Sequence, residues 1–263
     1  MALAHGDRSL SVSTWSALTA RRAKRGPEPL VTYLDARDQQ LTERTELSAI
    51  SVENAVAKIA NALCDEFDIG PGSRVGLHLP WHWQRSLWWG GCAAVGAEVV
   101  PYGDGDEVDL AVCTLTEVGQ LRQPRCGEIL VVSLHPFGLP ITEPLPDGFI
   151  EATAIVRAQP DGFWPDTPEE TTQVSVHLPS RAQPGQRTLV ACRSMDRIDS
   201  PPSWAWPLAI PLALDGSVVM VAISGPERAG DAQAFDGHHG WPRLAAIATQ
   251  ERADAIVVID AED

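Results

Sequence analysis

The sequence predicts an α/β protein: two parallel-sheet lobes packed together, each sheet covered by helices. Three observations carry this. Short apolar runs rich in Val, Ile and Leu alternate with segments whose apolar residues recur every three or four positions. The connections between them are mostly short and punctuated by Gly and Pro. One order of events, a helix, a terminating glycine and then a β-branched run, occurs at 94–100 and again at 213–219. That points to two similar lobes rather than a short-period repeat.

The elements follow in order. Trp15, Leu18 and Arg22 recur at helical spacing and predict a short amphipathic helix over 12–23. The basic cluster Arg21, Arg22, Lys24 and Arg25 then stands at its C-terminal end, where positive charge suits the helix dipole. Residues 30–34 read as a strand and 35–42 as a hairpin turn and return. A clear helix opens at Ser51, with Glu53 in its first turn. Val52, Val56, Ile59, Leu63 and Phe67 make its apolar stripe, and Gly70, Pro71 and Gly72 stop it. Residues 74–79 form a strand ended by Pro80, 83–95 a helix that is apolar almost all round and closed by Gly96, and 98–102 another strand. Such a strand–helix–strand unit with short connections is the signature of a parallel sheet. Near-continuous apolar runs at 108–114 and 128–133 suit strands buried on both faces, with a short helix expected over 115–121. Proline and glycine are frequent from 135 to 168, so irregular connection is expected, with a packed segment at 149–158. Residues 174–178 read as a strand. A second run begins at Thr188: strand 188–192, helix 208–214, strand 217–223, helix 242–252 with Pro242 at a favoured first position, and strand 255–259. The organisation expected is an N-terminal segment 1–29, a first lobe 30–168 and a second lobe 169–263.

Composition excludes several function classes. Lys+Arg is 20 against Asp+Glu 35, a formal net charge of -15. Acidic excess repels phosphate backbones, so no nucleic-acid partner is expected. No apolar run approaches the ~20 residues that span a bilayer, so no membrane partner is expected either. The first eight residues lack a charged-then-apolar leader, and a cytoplasmic chain is expected. The five cysteines are not paired as CxxC and lack close histidines; they read as small buried hydrophobes, with no metal and no cofactor expected. Lys24 and Lys58 are the only two lysines.

Two blocks carry a family resemblance. Gly70-Pro71-Gly72-Ser73-Arg74-Val75-Gly76-Leu77-His78-Leu79-Pro80, followed by Val95-Gly96-Ala97-Glu98-Val99-Val100-Pro101, resembles the adenylate-forming (AMP-binding, acyl-CoA synthetase-like) superfamily. The stretch from Pro207 through Leu214-Asp215-Gly216 to Val221 resembles a later segment of it. Within the superfamily, the chain is most similar to a group of short actinobacterial relatives. The resemblance implies the first part of the large N-terminal domain of those enzymes.

The departures define the functional expectation. The superfamily's phosphate loop is Ser/Thr/Gly-rich and ends in Pro-Lys; residues 173–185 hold one glycine and no lysine. Glycine lets backbone N–H groups crowd a polyphosphate and lysine supplies the charge. Arg181 could replace the charge but not the loop geometry. The stretch after Cys192 lacks the family's histidine, and the C-terminal lid with its adenylation lysine is expected to be missing. Losing even one donor of such a set typically costs about 10²–10³ in rate. By the resemblance His177 and Arg181 fall in the phosphate-loop stretch and Ser194 near the acyl site, while Trp204 and Trp206 flank the second lobe's helix start and either line a cleft between the lobes or plug it; no catalytic residue is assigned. We expect a non-catalytic module that binds a protein or a small acyl-type ligand, with an apolar flank left for a homo-oligomer or protein partner. The alternative is a divergent enzyme that keeps nucleotide or CoA thioester binding in that cleft.

Other features read as structural. His238-His239 suits a surface loop better than a metal site, and His78 a packed strand position. Asp104, Asp106, Glu107 and Asp109 suit a solvated loop better than a cation site. Trp81, Trp83, Trp88 and Trp89 are expected mostly in the core, with one of Trp88 and Trp89 facing a partner. No GxSxG nucleophile turn occurs.

Overall fold

The structure is a computed structural model of the 263-residue chain. It describes residues 9–38, 40–100, 107–118, 125–165, 173–177, 183–192, 201–223 and 242–259. In chain order the elements are β1 (Ser9–Ser13), α1 (Thr14–Arg25), β2 (Pro29–Asp35), β3 (Glu43–Ser48), α2 (Ala49–Asp65), β4 (Arg74–His78), α3 (Trp83–Val95), β5 (Glu98–Val100), β6 (Glu107–Thr114), β7 (Arg125–Val132), β8 (Phe149–Glu151), α4 (Ala152–Ala158), β9 (Gln173–His177), β10 (Arg187–Cys192), α5 (Pro201–Ala213), β11 (Ser217–Ala222), α6 (Pro242–Gln250) and β12 (Ala255–Ile259).

Two five-stranded sheets carry the fold. One runs β5-β4-β6-β7-β8 and is parallel throughout. The other runs β12-β10-β11-β2-β3 and is parallel except for the edge pair β2–β3. A two-stranded antiparallel ribbon pairs β1 with β9. The hairpin at 29–48 therefore lies in the sheet of β10, β11 and β12, although it precedes the first lobe's helix in sequence. The chemistry of its strands accounts for the placement. All of β2 after Pro29 is buried, so it needs neighbours on both sides, whereas β3 alternates charged and half-buried residues and suits an edge.

Strand alternation sets the layers. On β10 and β11, Val190, Cys192, Val218, Met220 and Ala222 face one way, while Leu189, Ala191, Val219 and Val221 face the other. The first set joins the main core, which also takes Val75, Leu77, Leu110, Val112 and Leu130 from the all-parallel sheet. Helices α1, α2, α3 and α5 fill the space between the two sheets. The second set is covered by Leu244, Ile247 and Ala248 of α6. The outer face of the all-parallel sheet is covered by Val118 and by Ile141 and Leu145 of the irregular stretch, not by a described helix.

The central position of α3 explains its composition. Every one of its residues is buried, Trp88 and Trp89 included, so neither tryptophan is left for a partner. Gly90 and Gly91 let the helices approach: a Cβ on Gly91 would stand 2.4 Å from Ile59 Cγ2 of α2. Gly96 ends the helix at φ 78°, a left-handed geometry that glycine adopts without steric cost.

Some local expectations are corrected. The cap of α2 is Ser48, whose hydroxyl accepts from the Ser51 N–H at 3.2 Å, so the helix begins before Ser51. Arg21, not Arg22, joins Trp15 and Leu18 on the buried face of α1. Residues 115–118 form a turn rather than the start of a helix. Helix α5 begins at Pro201, ahead of 208. Among the described residues no helix is long and apolar enough to cross a membrane.

Candidate functional site

A cleft of about 890 Å³ opens where the two sheets meet at the carboxyl ends of β2, β4, β6 and β7. In the all-parallel sheet, β5 lies on one side of β4 and β6 on the other. The chain thus leaves β4 toward one edge and returns across it, which makes β4–β6 the topological switch point. Ligands of open α/β sheets bind in the crevice at such a point, outside the carboxyl ends of the strands. The volume lies within the range of small-molecule sites.

The segment after β4 builds the floor. Pro80 follows the strand, and His82 caps α3 from an extended backbone, its Nδ1 accepting the Gln84 N–H at 3.3 Å. A neutral imidazole that accepts at Nδ1 carries its proton on Nε2. That nitrogen faces Glu43 Oε2 at 3.6 Å, too long for a hydrogen bond. Arg85 Nη1, one turn into α3, donates to the Leu79 carbonyl at 2.9 Å and holds the strand end. Trp81 is fully buried in the cleft wall, and its indole N–H has no acceptor among the described residues.

The opposite wall comes from β2 and the turn after it. Tyr33 meets the His82 ring edge-on, with centroids 4.7 Å apart. Burial pushes the Tyr33 phenol well above its ordinary value, and the nearby Asp35 adds to the effect. Arg37 Nε donates to Asp35 Oδ1 at 2.8 Å, and Nη2 also contacts Oδ2, a two-point pair. Burial works to raise the Asp35 carboxyl, but the bonds from Arg37 outweigh it and hold the group below the usual range. Behind His82, Glu43 of β3 accepts from Trp83 Nε1 at 3.1 Å and Thr45 Oγ1 at 2.7 Å. Burial raises its carboxyl too, yet His82, Thr45 and Trp83 bring it below the ordinary value, so Glu43 is an anion at neutral pH. Thr114 at the end of β6, Leu115, Thr116 and Glu117 after it, and residues 132–135 and 139–143 from β7 onward, complete the rim.

Of the five residues picked from the sequence, the backbone of three is described. His177 ends β9, where its backbone pairs with Ser9; Trp204 and Trp206 lie in the first half of α5, which packs on β9. Their side chains, and Arg181 and Ser194 altogether, lie outside the described residues. Sequence reasoning missed Tyr33, Glu43 and His82. The available signal was Pro80-Trp81-His82-Trp83, a polar and aromatic run directly after a strand of a parallel sheet.

Among the remaining candidates, His78 is half-buried, and Asp109 Oδ2 accepts the Arg74 backbone N–H at 2.7 Å. His238, His239, Asp104 and Asp106 lie outside the described residues. Cys92, Cys113 and Cys192 are buried and Cys64 is exposed. Burial pushes the Cys92 thiol up to about 12. No group of three or more metal-ligating side chains occurs among the described residues.

The fold is similar to that of part of two solved synthetases. An acyl-CoA synthetase of Brucella canis matches 96% of this chain with a TM-score of 0.61 at 16% identity. An acetoacetyl-CoA synthetase from Streptomyces lividans matches 81% with a TM-score of 0.59 at 15% identity. The chain spans 48% and 39% of those two proteins, respectively. No protein-family model matches it. A TIGR03089 family protein of Mycobacterium tuberculosis (strain ATCC 25618 / H37Rv) is 34% identical over 217 residues, 75% of this chain and 84% of that protein. The chain belongs to the TIGR03089 family.

Proposed function

We propose that this protein is a non-catalytic, adenylate-forming-like module that binds a small ligand in the cleft at the carboxyl ends of β2, β4, β6 and β7. The observation that carries the reading is the placement of its lysines. Lys24 Nζ pairs with Asp215 at 2.5 Å, and Lys58 Nζ pairs with Asp161 at 2.9 Å and donates to the Gln159 carbonyl. Neither lysine lines the cleft. Residues 173–185, the counterpart of a phosphate loop by resemblance, hold one glycine and no lysine. Phosphoryl chemistry draws its rate from preorganised cations and N–H donors around the phosphorus, and these sequence features remove the usual sources of both. The cleft itself supports retained binding.

ATP–pyrophosphate exchange with a panel of carboxylic acids tests the reading. Exchange at the no-protein background is expected, and robust turnover with any acid overturns it. The competing reading, an enzyme that retains nucleotide or CoA thioester binding, predicts a rise in Tm with ATP, AMP or CoA near saturation. Phe137 and Trp164 are each 83% exposed and support a protein contact or self-association as well. A clean monomer by light scattering at high concentration counts against self-association.

A further inference from the structure

The cleft's own chemistry selects a class of ligand, and this inference rests on reading the cleft as a binding site. Two donors belong to its walls. Tyr33 is 1% exposed, lines the cleft and meets the His82 ring edge-on, so its phenol belongs to the cleft wall. Trp81 is also 1% exposed, with its buried indole N–H unpartnered among the described residues. Buried donors without acceptors are rare in folded proteins and mark places where a ligand oxygen completes the bonding.

The charges point the same way. Arg37 is the only arginine or lysine among the described lining residues, and it is held in a two-point pair by Asp35. Glu117 and Glu143 line the same cleft. His82 faces the Glu43 carboxylate rather than an open cation site. Among the described lining residues a phosphate meets two carboxylates and a guanidinium already neutralised, which do not offset its desolvation. At the mouth, Leu115 is 40% and Leu139 47% exposed, and both line the cleft. Apolar side chains displayed at the entrance of a concave site gain from contact with an apolar ligand body.

We infer that the cleft takes an uncharged, largely apolar ligand bearing a carbonyl or hydroxyl oxygen that accepts from Tyr33 and Trp81, and that it rejects phosphorylated ligands. The class excludes nucleotides and CoA thioesters by charge, independently of any catalytic loss.

The test titrates the full chain with two probes, Nile red, which is uncharged and carries a ring carbonyl, and coenzyme A. Nile red should bind saturably at one site, with an affinity unchanged between about 50 and 500 mM NaCl, because no charge pairing contributes. Tyr33→Phe should weaken it by about tenfold, the loss of roughly one hydrogen bond, and Leu139→Asp at the exposed rim should weaken it further. Coenzyme A should neither bind nor displace the dye, whereas E117K/E143K should acquire salt-sensitive coenzyme A binding while keeping the wild-type melting profile. Wild-type binding of coenzyme A in competition with Nile red, lost in Arg37→Ala, overturns the charge argument and leaves the cleft as a ligand site. Dye binding indifferent to both Tyr33→Phe and Leu139→Asp places the dye elsewhere and overturns the inference. Binding of neither probe removes the cleft reading together with it.

Discussion

Glu251, at the end of α6, accepts Arg44 Nε at 2.9 Å and Nη2 at 3.0 Å from β3, joining residues 207 positions apart. Arg187 of β10 adds a second cation at 3.3 Å. The Glu251 side chain is 5% exposed, so this pair is shielded from solvent on the acid's side. It fastens the edge hairpin to the far side of the same sheet.

Stability should therefore depend on Glu251 in a pH-specific way. Hydrogen bonds from Arg44 hold the Glu251 carboxyl below its ordinary value of 4.5; burial opposes them and Arg187 assists. A depressed carboxyl contributes stability fully above its unfolded value and loses it as pH falls through the folded one. Glu251→Gln should cost about 2 kcal/mol in urea unfolding at neutral pH. The difference from wild type should narrow below pH 4.5; a gap of constant size would contradict the pairing.

The His82 cap gives a second expectation. His82→Ala removes the acceptor for the Gln84 N–H and should lower stability by about 1 kcal/mol, while His82→Asn, which keeps an acceptor, should recover much of it. Thermal melts of the two variants decide between a capping role and ring packing against Tyr33. Equal losses would favour the ring.

Close packing of α2 on α3 gives a third. Gly91→Ala places its Cβ 2.9 Å from Ile59 Cβ as well as against Cγ2, so the stem of Ile59 obstructs it rather than a flexible tip. The overpacking should cost about 1–3 kcal/mol despite the better helix propensity of alanine. Ile59→Ala should be less damaging in the Gly91→Ala background than in wild type, and additive losses in a double-mutant cycle would rule out the contact.

Thiol reactivity gives a fourth. Cys64 is exposed, while Cys92, Cys113 and Cys192 are buried, with the Cys92 thiol pushed up to about 12. Iodoacetamide mapping of the native protein near pH 8 should label Cys64 and spare those three until denaturant is added. Native labelling of Cys92 would mean that the middle layer opens readily.

Local pattern carried much of the fold. The bounds of α3 at 83–95 and its glycine stop are legible because a helix apolar almost all round between Pro80 and Gly96 has no competing reading. The start of α5 was not legible, since Pro207 and Pro211 lie inside it and each argues against a helix in isolation. Packing of that helix against α3, β11 and β9 overrides the local preference. Ser48 as the cap of α2 was hidden by Ser51, an equally good capping residue three positions on.

The sequence by itself determined that strands and helices alternate, that most strands are buried on both faces, and that lysine occurs only twice. Those properties are written in periodicity and composition, which act over a few residues. Tertiary structure alone decided that β2 joins β11 from 187 positions away and so brings Tyr33 to within 4.7 Å, ring to ring, of His82. Strand order sets which strand ends share a crevice, and it follows from the packing of whole layers rather than from any local stretch.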